Sequence, residues 1–431
     1  MDYLSCGVGV AVAAAVYAKT TTWSVLKASL SGCGACAATA GVRLLTMLSR
    51  ANFGLERELY PIEEYIAGQK EEVFEPDLVI VDAHHHLHDA RTQDKGWPID
   101  KRSIQMLYRL KPKIVNHLCT KDHPVLVNSF SARSPVVLPY MGKELMDDIQ
   151  DVRGNGKGHK VVATVYVECG WSTPGVEECM KPVKEADMVV EVNRQFPGIC
   201  NAMVAHADFR LGAGCEPALK YYKNIPLVKG IRHSLTWSDD STQLVNGPAE
   251  KDTAYDPKWR EGFALLSKYG FFYEAWLYHL QIDALADLAR TFPETTIVCN
   301  HVGFPLGNGK FKKEESWPVW KESMKRLAES PNVLVKIGGL GMRTMGFKFD
   351  ERPTPAGSDE LAEAWSPYIR YVIDTFGVDR CMMESNFPMD MVTCSYTVLW
   401  NALKKSVKDL PLEDKRKLFE LNARKLYGIT V

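Results

Sequence analysis

A chain of 431 residues with 46% apolar content can bury a large core, as one large barrel or as two or three smaller domains. Its 52 basic and 53 acidic residues are spread along the chain and leave a net charge of −1, so nothing points to a nucleic-acid or membrane-surface partner. The eleven cysteines are odd in number and scattered, some inside apolar runs (Cys299, Cys381), which fits a reducing compartment better than a disulfide scaffold.

From Tyr3 to Leu55 there is no acidic residue, while Lys19, Lys27, Arg43 and Arg50 stand among many Ala, Ser and Thr. The apolar run 4–18 is too short for a comfortable membrane span, and Asp2 stands where a secretory signal carries basic residues. The composition suits an organelle transit peptide, and equally a poorly ordered extension or a helical pair packed on the main domain. The expected localisation is therefore intracellular, cytoplasmic or organellar. Cys33-Gly-Ala-Cys36 has redox spacing, but no strand precedes it and no second ligand pair accompanies it, so coincidence explains it better. We divide the chain into an N-terminal extension and connector, residues 1–75, and a main domain, residues 76–431.

The main domain opens on Asp77–Asp89, a short β-branched run that closes on four histidines within five positions. The run predicts a buried strand. Alternation then puts Asp82, His84 and His86 on one face and His85 on the other. Two imidazoles on one face of a strand can share a metal or polarise a substrate carbonyl; the plainer alternative is a polar strand end with solvated histidines. Further strand-like runs follow at 160–169, 201–209, 227–235, 271–278, 296–302, 333–337 and 381–387. Amphipathic stretches lie between them at 175–196, 258–269, 281–292, 317–330 and 360–376, with Pro or Gly at their ends.

Eight strands alternating with helices predict an α/β fold, a (β/α)8 TIM barrel with an N-terminal extension. An open doubly wound sheet would show a Gly-rich turn after its first strand, and histidines stand there instead. Two segments exceed the minimal repeat, 90–158 after the first strand and 236–256 after the fourth. Both are expected on the face where the strands end, as lids, specificity elements or decorative insertions.

The other unusual polar groups fall at strand ends. They are Glu168 on strand two, His206 and Asp208 on strand three, Arg232-His233 on strand four, His301 on strand six, and Glu384 with Asn386 on strand eight. A lone histidine in such a place is more often a hydrogen-bonded structural residue than a ligand. Together they place imidazoles, carboxylates and an arginine around one rim, which is costly unless they are paired or used.

These residues carry a resemblance to the amidohydrolase superfamily, and within it to the amidohydrolase-related (amidohydrolase 2) group of metal-dependent barrel hydrolases. That group includes sugar-acid lactonases and 2-pyrone-4,6-dicarboxylate lactonase. The matching features are Asp82-Ala-His84-His85-His86, Gly230-Ile-Arg232-His233, Asn300-His301-Val-Gly-Phe-Pro305, Ser385-Asn386-Phe-Pro388 and Asn422-Ala-Arg-Lys-Leu-Tyr427-Gly. The likeness runs from about Leu78 to the C-terminus and is weak on substrate. It implies that His84, His86 and His301 hold a divalent metal such as zinc, or polarise the carbonyl directly in a metal-free version. The family's strand-eight aspartate falls on Asn386, which as an amide is no general base. Glu384, rather than Asp390, is the expected substitute. On strand five the local histidine is His279, which alternation from Glu274 and Trp276 points away from the lumen.

The implied activity is hydrolysis of a lactone or similar acyl bond of a small carboxylated or sugar-acid substrate, with His84, His86, His301, Glu384 and Asn386 in catalytic positions. Arg232 and Arg343 are candidate carboxylate clamps, supported at the rim by Glu168, His206 and His233. Glycines 338, 339 and 341 allow close backbone approach after strand seven. The alternatives are a non-oxidative decarboxylase of the same superfamily and a barrel without catalysis that binds or scaffolds. The expected partners are a small-molecule substrate and a second copy in a homodimer, with no nucleic acid and no membrane span.

Overall fold

Each β-branched run becomes a strand. The computed structural model describes residues 61–89, 139–240, 243 and 249–430, and within them eight parallel strands pair in sequence order. They are β1 Ile80–His85, β2 Val161–Val167, β3 Ala202–His206, β4 Val228–Ser234, β5 Phe272–Trp276, β6 Ile297–Cys299, β7 Val333–Ile337 and β8 Cys381–Met383. The residues after β8 close the ring on β1. Asn386 N–H donates to the His84 carbonyl at 2.8 Å, and His86 N–H donates to the Phe387 carbonyl at 2.7 Å. Eight parallel strands closed in this way, with helices between them, are a (β/α)8 TIM barrel.

The five predicted helices lie close to their expected places, and others, among them Gly142–Ile149 and Tyr396–Ser406, fall outside them. The stretch 175–196 is helical only over Lys184–Gln195, because Pro182 breaks its first half, which carries only a short turn at Glu178–Met180. The short helix Glu216–Lys223, which falls between the predicted stretches, fills the β3–β4 connection. Helix Pro257–Tyr269 shows how its ends are set. The Asp256 carboxylate accepts from Trp259 N–H at 2.7 Å, Pro257 opens the first turn, and Gly270 closes the last at φ 69°. None of the described helices is long and apolar enough to cross a membrane. The seven described cysteines are all free. The N-terminal leader with Cys33 and Cys36 lies outside the described residues, as do 90–138 of the first long segment and most of 241–248 in the second.

Alternation along the strands sorts the core into two layers. Val81, Ala83, Ala163, Val165, Val167, Ala202, Val204, Val298 and Met382 pack inside the barrel, and Ala423, Tyr427 and Ile429 at the C-terminus plug that cluster from below. The opposite faces pack on the helices.

The lumen also contains charge. Lys336 of β7 and Glu274 of β5 form an ion pair at 2.7 Å with both side chains fully buried. Asn300 Nδ2 donates to the same carboxylate oxygen at 2.9 Å, and the Tyr427 hydroxyl donates to the other at 2.6 Å. The Glu274 carboxylate is thus fully served, which is the condition under which a buried pair can be tolerated. The expected consequence is a graded loss of stability in denaturant unfolding. Lys336→Met, which strands the carboxylate, costs about 3–5 kcal/mol. Tyr427→Phe, which removes one donor, costs about 1–3 kcal/mol. Equal or negligible losses in the two variants would contradict this network.

Candidate active site

The site begins with an irregularity in β1. Asp82 pairs with Thr164 and His85 with Tyr166, so β1 advances three residues while β2 advances two, and one residue is extra. This bulge corrects the simple alternation. Val81 and Ala83 are inside the barrel, and Asp82 faces the helix layer, where Tyr396 OH (2.9 Å) and Ser385 Oγ (2.6 Å) donate to its carboxylate. Burial pushes Asp82 up to about 6. His84 then returns to the lumen, His85 turns outward to Thr164 Oγ1 at 2.9 Å, and His86 turns inward. Asp82 is therefore a brace between β1 and the β8 turn and does not share a face with the two histidines.

Three side chains from three strands converge above the bulge. Glu384, one residue past β8, lies between His84 and His301. Its Oε2 is 2.8 Å from His84 Nδ1, and its Oε1 is 2.6 Å from His301 Nδ1. The backbone N–H of His301 donates to Oε1 at 3.2 Å. All three residues are buried, and one ligand atom from each lies within 4.8 Å of the others. The Trp276 ring stands against His301, 5.1 Å between centroids, on the side from which strand five approaches. His279 is turned away, its Nδ1 accepting from Leu306 N–H at 3.2 Å.

Proton counting makes this cluster unusual. His86 Nδ1 faces the Val167 carbonyl at 2.8 Å, so it carries a proton. Burial, followed by the Arg232 charge, holds the His86 imidazolium well below the ordinary range, so the ring is neutral and its Nε2 is bare. That bare nitrogen lies 3.1 Å from His84 Nε2. His84 is held neutral in the same way, by burial first and then by Lys336 and the neighbouring imidazoles, and has a single proton to offer. It faces an acceptor at each end, the His86 nitrogen at Nε2 and the Glu384 carboxylate at Nδ1. The Nδ1–Oε2 contact is out of line for a hydrogen bond, which puts the proton on Nε2. A bare nitrogen and a carboxylate oxygen then face each other, buried, at 2.8 Å. Such a donor set suits a divalent cation: two imidazoles and a carboxylate, with an uncompensated lone pair between them.

The remaining candidates divide between the rim and other duties. Arg232 is gripped by Glu168, through Nε to Oε1 at 2.7 Å and a second nitrogen to the Glu168 carbonyl at 2.6 Å. Burial opposes ionisation of Glu168, but Arg232 outweighs it and pulls the carboxyl down to about 2. His206 Nδ1 faces the Arg232 carbonyl at 3.1 Å, and its ring lies 5.4 Å from that of His233. His233 Nδ1 accepts from the Trp259 indole at 2.7 Å, which leaves its other nitrogen toward Asp208 at 3.5 Å. Asn386 directs its amide to Asp390 Oδ1 at 2.9 Å, and Gly341 N–H donates to the other oxygen at 2.9 Å. Arg343 pairs with Glu351 at 3.3 Å and with Asp350 at 3.9 Å.

The glycines after β7 have a steric reason. A Cβ on Gly338 would lie 2.3 Å from Glu384 Cγ, and one on Gly339 2.6 Å from the His301 ring. Sequence reasoning missed Lys336, Glu274 and Tyr427 as a unit. The signal was a charged residue inside an otherwise apolar run, Val-Leu-Val-Lys336-Ile, which demands a buried partner.

The family model described as Amidohydrolase matches residues 191–429, more than half of the chain. The chain belongs to the amidohydrolase family. The matched span includes His301 and Glu384 and begins after His84 and His86. An uncharacterized protein, y4mH of Sinorhizobium fredii, is 28% identical over 357 residues, 82% of this chain and 99% of that protein. An L-fucono-1,5-lactonase of Burkholderia ambifaria is 28% identical over 147 residues, 34% of this chain and 44% of the lactonase. Among solved structures, an amidohydrolase of Burkholderia multivorans with bound zinc aligns with a TM-score of 0.57 at 16% identity, covering 82% of this chain and all of that one. A 5-carboxyvanillate decarboxylase of Novosphingobium aromaticivorans, complexed with manganese, aligns with a TM-score of 0.50 at 11% identity, covering 82% and 97%. These two likenesses establish the shared fold.

Gly339 tests the cluster without removing a ligand atom. It sits at φ 66°, where a side chain costs about 1–3 kcal/mol. Gly339→Ala is expected to displace the His301 ring and to lower the affinity of this donor set for a divalent cation, read with zinc as the probe, roughly 10–100-fold, the range for lost supporting contacts. Zinc titration of the folded variant with unchanged affinity would show that the His301 position is not needed.

Proposed function

We propose that this chain is a hydrolase that opens a lactone, or a kindred acyl bond, of a small carboxylated or sugar-acid substrate. The observation that carries the reading is the buried Glu384 carboxylate held between His84 and His301. A metal-binding role for His84, His301 and Glu384 fits the donor set, with zinc the expected ion and His86 orienting His84 from behind. When bound, the ion supplies Lewis acidity toward the substrate carbonyl.

The chain's own residues do the rest. Glu384 takes up the proton of the attacking water, and its buried place next to two imidazoles keeps the carboxylate aimed. His86 and Glu384 engage the two nitrogens of His84 and fix its ring, and His301 offers the ring nitrogen that does not face Glu384 to the polarised oxygen. Arg232, oriented by Glu168, presents its remaining N–H edge to a substrate carboxylate or hydroxyl. His206 and His233 line the same rim and distinguish hydroxyl patterns. Asn386 and Asp390 hold the β8 turn under Glu384. The likeness to a lactonase, over 34% of this chain, supports the choice of bond.

A pH-stat assay of the zinc-loaded protein on a panel of sugar-acid lactones, beginning with L-fucono-1,5-lactone, tests the proposal. The wild type is expected to release acid, and His84→Ala and Glu384→Gln to lose about a thousandfold in kcat/KM, roughly 4 kcal/mol of barrier. Carbon dioxide release from aromatic carboxylates without lactone turnover would assign a decarboxylase instead. Folded, zinc-loaded protein inert on both panels would overturn catalysis itself.

A further inference from the structure

Trp276, the last residue of β5, takes no part in the chemistry described above. Phe272 packs in the lumen and Glu274 pairs there with Lys336, so alternation along β5 brings Trp276 to the same face at the strand's C-terminal end. Three rings hold its indole nearly perpendicular to themselves, His301 at 5.1 Å between centroids, Phe304 at 4.9 Å and Tyr278 at 5.9 Å. The residue is 8% exposed.

A buried indole usually finds an acceptor for its N–H. Trp171, Trp259 and Trp320 do so, on Thr173 Oγ1, His233 Nδ1 and the Val302 carbonyl. The N–H groups of Trp365 and Trp400 are sealed in the helix layer. Among the described residues the Trp276 N–H meets no acceptor, and its ring stands against His301 in the candidate site. The neighbouring strand carries a second unmet donor. β4 and β5 pair Arg232 with Glu274 and Ser234 with Trp276, so Arg232 lies one pleat below Trp276 on the same face. Glu168 takes its Nε and Nη2, and Nη1 has no acceptor among the described residues.

We infer that Trp276 is a specificity-determining residue whose N–H donates to a substrate hydroxyl while Arg232 Nη1 takes the carboxylate, so that the site selects polyhydroxylated acids over unsubstituted ones. This deepens the hydrolase reading above and rests on it. Two donors on adjacent strands call for two acceptor oxygens on one ligand, and a plain carboxylic acid answers only one of them. A site built to hydrogen-bond a hydroxyl rejects the analogue that lacks it, because the buried donor is then left unpaired.

Isothermal titration of the full chain with D-galactonate, D-gluconate and hexanoate, three six-carbon acids with and without hydroxyls, tests the inference by binding alone. The wild type is expected to bind the better sugar acid at least about tenfold more tightly than hexanoate. Trp276→Phe, which keeps an aromatic wall and removes the donor, is expected to weaken the sugar acid roughly tenfold and to leave hexanoate and zinc affinity within about twofold. Wild-type protein that binds hexanoate as tightly as the sugar acids, or that binds neither sugar acid saturably, would overturn the selectivity. Unchanged sugar-acid affinity in Trp276→Phe would overturn the role of the N–H. A loss shared equally by hexanoate, or a fall in zinc affinity, would reduce Trp276 to packing against His301. A chain inert on the lactone panel that shows the expected loss would keep this subsite and overturn the hydrolase reading alone.

Discussion

One carboxylate faces two buried imidazoles, and too few protons are present to satisfy the contacts. His84 has an acceptor at either end and a single proton. Leaving a buried donor or acceptor unmet is expensive. A protein that retains such an arrangement stores affinity for whatever supplies the missing positive charge. The chemistry proposed for this barrel depends on that deficit.

The rest of the fold keeps the deficit from relaxing. The extra residue in β1 swings His84 into the lumen while Asp82 stays behind as a brace, tied to Ser385 and Tyr396. The turn after β8 shares two backbone hydrogen bonds with β1 and the residue after it, Asn386 N–H to the His84 carbonyl and His86 N–H to the Phe387 carbonyl. Glycines 338 and 339 remove the side chains that would push Glu384 and His301 apart. Beneath, the Lys336–Glu274 pair puts a positive charge close enough to disfavour a second proton on His84. Each device costs stability on its own terms, through a bulge, a positive φ or a buried ion pair. Such departures from local rules are expected where a site is being held in a geometry the chain would not choose.

Much of this was legible in the sequence. Eight β-branched runs separated by amphipathic stretches specify the barrel, because period and punctuation are local properties. All eight strands fall within the runs read from the chain. Glu384 was legible as a carboxylate at the end of the strand-eight run, where a charged residue follows apolar Cys381-Met-Met383. The face of Asp82 was not, because a bulge depends on the register with β2 and leaves no mark in β1 itself. The engagement of Arg343 by Glu351 and Asp350 was hidden for a similar reason, as those partners belong to a turn formed only after the strand ends. The Lys336–Glu274–Tyr427 cluster joins residues more than sixty positions apart, and only closure of the ring shows that they share one interior.

The central claim concerns one proton, so the most direct measurement observes it. Nitrogen-15 spectra of the metal-free protein labelled at histidine report the tautomer of each ring, with His84→Gln providing the assignment. The account predicts that His84 at neutral pH is uncharged and protonated at Nε2, with Nδ1 bare toward Glu384. A His84 ring carrying protons on both nitrogens, or one protonated only at Nδ1, would contradict it.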